Sequence, residues 1–268
     1  MIIQRPIVDR HTELAKFTEL IDSTRNPSTS ILLVNDASGQ GKSCLLRVFG
    51  EHCRSDGIPT AHIDLKGGSL TPIDILRTVQ TDVRPLILDR CNSILNNPHG
   101  YDSPSIQITD NAGFGKTEYS IQQTYVQGRS LSIEDQKQWW ANGAQALLDD
   151  FSEISKSASK RFVLLFDTYE KASPETRDWI SNHLLRMATP LRISCLCIVL
   201  AGKETPVPTS EWEHYYQMLD LEPLQLEHWI AYAKLVRANV TYEQIELVYR
   251  KYKHQPLKMA EWISALST

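Results

Sequence analysis

The sequence predicts an α/β fold: a mostly parallel sheet covered by helices on both faces, followed by a small helical subdomain. Three observations predict it. Short apolar runs near 31–34, 58–65, 162–166 and 193–200 alternate with longer segments whose apolar residues recur at three- and four-residue steps. The run at 193–200 is almost continuously apolar, as a strand buried on both faces requires. Beyond residue 224 the pattern is helical only. Residues 1–223 are therefore expected to form the α/β unit and 224–268 the helical one.

An opening helix is expected from Thr12 to Ser23, with Leu14, Phe17, Leu20 and Ile21 on one face, and Asn26-Pro27-Ser28 ends it. Ile31–Val34 reads as the first strand. A small-residue loop, DASGQGKS at 36–43, then runs into an amphipathic helix. The second strand, 58–65, places Ala61, Ile63 and Leu65 on one side. Thr71-Pro72-Ile73-Asp74 opens a helix, with Thr as N-cap, Pro at the first position and Asp reaching back. Between Asn96 and Arg129 the composition turns polar, which marks an insertion over about 96–130.

Inside that insertion DNAGFGKT, at 110–117, repeats the spacing of 36–43. Its flanks differ: Ile106 and Ile108 alternate before it, and Tyr119, Ile121 and Tyr125 alternate after it. Period 2 on both sides of a Gly-containing loop reads as a hairpin, not as a strand feeding a helix. A long helix follows from Ser132 to about Ser157, with Trp140, Ala144, Leu147, Phe151 and Ile154 on one stripe. The strand at 162–166 ends in Asp167, and Ser173-Pro174-Glu175 opens a helix through about Met187. After the strand at 193–200 come Pro206 and Pro208, then a short run near Met218–Leu221. Helices from about Leu226, from Thr241 and over 256–266 complete the chain.

Composition narrows the function classes. The 268 residues carry a net charge of −4, which argues against a general nucleic-acid surface. No apolar run approaches the ~20 residues of a membrane span, and the first residues lack a signal-peptide pattern. Five cysteines (44, 53, 91, 195 and 197) show no metal-ligand spacing. Cys195 and Cys197, two apart, are expected on one face of a strand as reduced core residues. The expected compartment is the cytoplasm.

The loop at 36–43 has the form of a phosphate cradle. Gly39 and Gly41 let the backbone curl with N–H groups inward, alongside Ser38, Gln40 and Cys44. Lys42 can reach β- and γ-phosphates, and Ser43 can ligate the Mg²⁺ that bridges them. The following helix adds the positive end of its dipole. Asp36 stands where such loops usually open with Gly, and a carboxylate there costs affinity unless it turns out or pairs with a cation.

Asp167, at the C-terminal edge of its strand, lies where open α/β sheets bind ligands and is the second Mg²⁺ candidate. Glu170 is the candidate for polarising water. Lys203, ending the neighbouring strand, can sense the γ-phosphate, though without the bidentate fork of Arg. Arg186 and Arg192, near that strand, are candidates for acting in trans in a ring.

In these residues the chain resembles the STAND class of signal-transduction ATPases, close to AAA+ and NB-ARC modules. Ile7-Val8-Asp9-Arg10 with Glu13-Leu14 is similar to the family's adenine-side entry motif, with Asp9 replacing Gly. DASGQGKS is similar to its phosphate loop, and LLFDTYE to its hydrophobic–Asp–x–x–Glu Mg²⁺ motif. His254-Gln255-Pro256-Leu257 resembles the Gly-x-Pro motif of the helical lid, whose proline packs on the nucleotide. Lys203 sits where the family usually has Arg.

The resemblance implies a P-loop NTPase fold, ATP or ADP and Mg²⁺ as ligands, contacts from Arg10 and Pro256, slow turnover, and regulated assembly in bacterial defence or signalling. It also implies protein partners, an effector in trans or self-association. Family members usually carry further domains on both sides, so the chain is either a piece of a larger protein or a short member acting with partners. Two other functions stay open: a hydrolysis-deficient nucleotide-binding scaffold and a small-molecule kinase. No acceptor-site cluster supports the kinase.

Overall fold

The computed structural model describes residues 10–22, 29–83, 86, 88–96, 132–156, 161–189, 193, 195–252 and 255–267. The proposed insertion at 96–130, with its hairpin and second Gly-Lys-Thr string, lies outside them apart from Asn96. So do Ile7, Val8, Asp9, Arg192 and His254.

Five strands form one parallel sheet: β1 (Ile31–Asn35), β2 (Thr60–Asp64), β3 (Phe162–Asp167), β4 (Leu196–Gly202) and β5 (Tyr216–Leu219), in the order β2-β3-β4-β1-β5. A parallel pair needs a crossover, and the crossovers are the helices. On one face lie α1 (His11–Ile21) and α2 (Lys42–Ser55). They bury Phe17, Leu20, Leu46 and Phe49 against Leu32, Val34, Leu165 and Val199, and the rings of Phe17 and Phe49 stack at 4.0 Å. On the other face lie α3 (Pro72–Asp82), α4 (Asp89–Asn96), α5 (Ile133–Ser155) and α6 (Pro174–Trp179). They bury Leu76, Leu147, Phe151 and Trp179 against Ile31, Ile63, Phe166 and Ile198. Every residue of β3 and β4 is buried, which explains their uninterrupted apolar runs.

Local signals act as the sequence suggests. Thr71 and Asp74 form a reciprocal capping box at the start of α3, with Pro72 in the first turn. Ser132 accepts from Asp135 N–H to start α5. Ser173 accepts from Thr176 N–H to start α6, and the helix continues through a π-helical stretch over Ile180–Leu185 to Met187, where it was expected to end. A separate apolar cluster joins α7 (Leu226–Leu235), α8 (Tyr242–Tyr252) and α9 (Pro256–Ala265) through Trp229, Tyr232, Ile245, Met259 and Ile263. None of the helices among the described residues is long and apolar enough to cross a membrane.

Two expectations fail at one place. The strand expected over 193–200 runs instead from Leu196 to Gly202. Leu196 N–H bonds Ile193 O, so the chain turns before it extends. Cys195 lies in that turn and joins the core under α5, donating to Phe151 O, while Cys197, on the strand, joins the opposite core under α1. The two cysteines therefore do not share a face. Burial pushes the thiols of Cys53 and Cys91 up, to about 11 and about 12, so both stay protonated.

Candidate functional site

A parallel sheet presents all its strand ends at one edge, and here that edge meets the helices α7–α9 across a cleft of about 480 Å³. Of the residues singled out from the sequence, Arg10, Ser38, Gly39, Gln40, Gly41, Lys42, Ser43, Cys44, Asp167, Glu170, Lys203 and Pro256 line it. They come from five stretches of chain spread over almost its whole length.

The loop between β1 and α2 forms the central wall. Gly39 and Gly41 adopt φ of 81° and 95°, conformations that L side chains rarely take. Gly41 is the N-cap of α2, and among the described residues no side chain caps that helix. The first N–H groups of a 14-residue helix are thus left without a side-chain acceptor where the loop lines the cleft, as an anion site requires.

Lys42 Nζ donates to the loop's own carbonyls, Asp36 O at 2.5 Å and Ala37 O at 2.8 Å. Partial burial holds its ammonium below the ordinary 10.5, opposed by the nearby carboxylates of Asp36, Glu170 and Asp167. Asp36 itself does not line the cleft. Its Oδ1 accepts from Ala37 N–H at 2.6 Å, and its charge favours the protonated form of Lys42. Turned onto the loop and set beside a cation, it escapes the phosphate repulsion expected of an acid at this position.

Beside the loop, the end of β3 and the turn after it carry the acidic group, next to the end of β4. Asp167 is buried as the last residue of β3. Thr168 follows with φ 60° and ψ 44°, a left-handed conformation that a β-branched residue adopts at a cost of about 1–3 kcal/mol and that concentrates at functional sites. The turn it forces, Tyr169–Lys171, presents Glu170, whose Oε2 accepts from Lys203 N–H at 3.0 Å. Gly202 makes that approach feasible: a Cβ there would lie 2.9 Å from Glu170 Oε2 and 2.4 Å from Glu204 O. Arg186, the other cation considered near this strand, is paired with Glu211 at 2.7 Å.

Arg10 lines the cleft but its guanidinium is committed to protein. Nη1 donates to Glu13 Oε1 at 2.6 Å and to Glu222 O at 2.8 Å, and Nη2 donates to Gln40 O at 3.1 Å. It thereby ties α1, the β1–α2 loop and the segment entering α7 together. Across the cleft, Leu257 N–H at the start of α9 donates to Gly39 O at 3.1 Å, next to Pro256.

The remaining lining comes from residues the sequence reading did not single out: Lys66, Thr168, Leu224, His228, Trp229, Tyr232, Leu257 and Ala260. Lys66 follows the end of β2 and could have been found by listing what stands just past each strand. Apart from the motif at 254–257, the segment after residue 224 read only as helices, and which of its residues face the cleft depends on how that unit docks.

Comparison with known proteins bears on the fold. No protein-family model matches the chain, and no curated protein does. Among solved structures, a STAND protein with a tetratricopeptide repeat sensor from Pyrococcus horikoshii matches 95% of the chain with a TM-score of 0.52 at 13% identity. The chain shares the α/β fold of that STAND protein. It spans 29% of that protein's length. Drosophila ORC bound to DNA matches at a TM-score of 0.44 and 17% identity, covering 96% of this chain and 54% of its own. Cdc6p from Pyrobaculum aerophilum matches at 0.48 and 12%, covering 86% and 50%. The fold assignment rests on the first.

Proposed function

We propose that the chain is an ATP/ADP-binding switch module of the STAND type, with slow hydrolysis that regulates assembly or signalling. One observation carries this reading: a glycine-curled loop, an uncapped helix start, a lysine, Asp167 at the end of β3 and Glu170 in the turn after it share a single cleft with the helical unit. In this reading the loop N–H groups and Lys42 bind the phosphates, and the wall from α7 and α9 (Trp229, Tyr232, Leu257, Ala260) receives the base.

Mg²⁺ fits the donors present. It takes hard oxygen ligands, commonly one or two from protein with phosphates and water supplying the rest, and Ser43 and Asp167 line the same cleft. When bound it would neutralise charge developing on the phosphates. Glu170 would take a proton from the attacking water while its Oε2 is held by Lys203 N–H. The contact from α9 to the phosphate loop supplies a route by which ligand state moves the helical unit. Protein partners, an effector in trans or a second copy would receive that motion. The net charge of −4 favours such partners over nucleic acid, and a cytoplasmic setting accords with the five free thiols and with the absence of a membrane-crossing helix among the described residues.

A second reading, a scaffold that binds nucleotide without hydrolysing it, is favoured by Lys203 in the sensor position and by the lone acid at the end of β3. Titration calorimetry with ATP and ADP, paired with a phosphate-release assay, tests both. Lys42→Ala is expected to abolish binding, and unchanged affinity overturns the site. Glu170→Gln is expected to keep binding and slow phosphate release. Binding without any release from the unmodified chain selects the scaffold.

A further inference from the structure

We propose that Lys66 is the residue that distinguishes a nucleoside triphosphate from a diphosphate in this cleft, an inference that rests on the nucleotide reading above. Four cationic side chains of Lys or Arg line the cleft, and three have other placements. Arg10 is engaged by Glu13 and two carbonyls. Lys42 belongs to the phosphate loop and lies over Asp36 O and Ala37 O. Lys203 ends β4, between that loop and the acids. Lys66 alone among these four stands on the β2 side of Asp167 and Glu170.

Its position is built rather than incidental. Lys66 sits in a 3₁₀ turn, Leu65–Gly67, that starts where β2 ends. Asp64 Oδ1 accepts Lys66 N–H at 2.9 Å, Leu65 is buried, and Gly68 closes the turn at φ 68°. A Cβ at Gly68 would lie 3.2 Å from Lys171 O, so this turn packs directly on the one that carries Glu170. The strand register agrees, with Asp64 opposite Asp167. The backbone is thus held while the side chain is left exposed at the mouth of the acidic end.

The strand order sets the sequence in which a bound phosphate chain meets these groups. Anchored by the loop after β1, it passes the end of β4 and reaches the acids of β3 before it meets β2. A diphosphate ends early on this path. A third phosphate brings added negative charge toward β3, where Glu170 opposes it; Mg²⁺ at Asp167, together with Lys203, would offset that charge from the loop and β4 side, and Lys66 adds the cation on the β2 side. Lys66 therefore favours the triphosphate selectively, whereas Lys42 supports both ligands.

Calorimetry with Mg-ADP and with a non-hydrolysable Mg-ATP analogue decides the matter. Lys66→Ala should weaken the triphosphate about tenfold and leave ADP within twofold, Lys66→Glu should weaken it further, and Lys66→Arg should retain the preference. Thermal melts should be unchanged, since the side chain is exposed. Equal weakening of both ligands, or of neither, in Lys66→Ala overturns the proposal while leaving the nucleotide reading intact. Binding of neither ligand by the unmodified chain overturns both.

Discussion

Lys42 shows how one residue's chemistry is set by its surroundings. Burial lowers its pKa from the ordinary 10.5, and neighbouring acids only partly offset that. A bound phosphate is a closer anion and raises the value again, so the complex holds the proton more tightly than the free protein. Affinity is then expected to be flat with pH from this group at neutrality and to fall as pH rises through the lowered free-state value. ADP titrations carried from neutral pH up to the ordinary 10.5 measure the fall, and Lys42→Arg, which stays charged, should remove it. A curve flat through that range in the unmodified protein would refute the assignment. The place of Lys42 at the start of α2, in the cleft, was legible from Gly41-Lys42-Ser43. Its contacts with Asp36 O and Ala37 O were not, because they follow from the curl of a loop whose glycines permit many paths. Asp36 read as a liability for the same reason: only the fold shows its carboxylate turned onto Ala37 N–H.

Among the elements, those with strong periodicity or an explicit cap were readable in advance. The capping box at Thr71 and the stripe of α5 are set by contacts a few residues apart. Strand ends were less readable, because a long apolar run does not say which residues are extended. The shift of β4, by three residues at its start and two at its end, separated Cys195 from Cys197 and brought Gly202 into the sheet, opposite Asn35. That shift matters for function, since Gly202 is where β4 meets the Glu170 turn. Its carbonyl accepts Asp36 N–H at 3.3 Å, and its missing side chain leaves room for the Glu170 carboxylate. Gly202→Ala is expected to cost about 1–3 kcal/mol, because the nearest obstacle is the backbone oxygen of Glu204 and not a flexible side chain. It should also displace Glu170 and slow any phosphate release while sparing ADP affinity. Denaturant unfolding and ADP titration on one preparation check both parts. An unaltered release rate with the expected loss of stability would show that Glu170 does not depend on this joint.

At the scale of the whole molecule, the helical unit joins the phosphate loop through a few named atoms. Arg10 donates to Gln40 O on one side and Glu222 O on the other, Glu13 Oε1 accepts Glu222 N–H at 3.4 Å, and Leu257 N–H reaches Gly39 O. The Arg10–Glu13 pair is buried, with side chains 5% and 4% exposed, so removing one partner strands the other charge. Arg10→Met should therefore destabilise the protein by about 3–5 kcal/mol. Replacing both, as Arg10→Met with Glu13→Leu, should recover much of that loss because no buried charge is left unpaired. Stability and coupling then come apart. The double variant keeps an apolar joint but no donors to Gln40 O and Glu222 O, so the loop no longer holds the entry to α7. Hydrogen exchange at the start of α9 reads the consequence. ADP should slow exchange of the Leu257 amide in the unmodified protein and do so much less in the double variant. If the double variant responds to ADP as fully as the unmodified chain, coupling runs through the α9 contact alone, and Arg10 serves stability only.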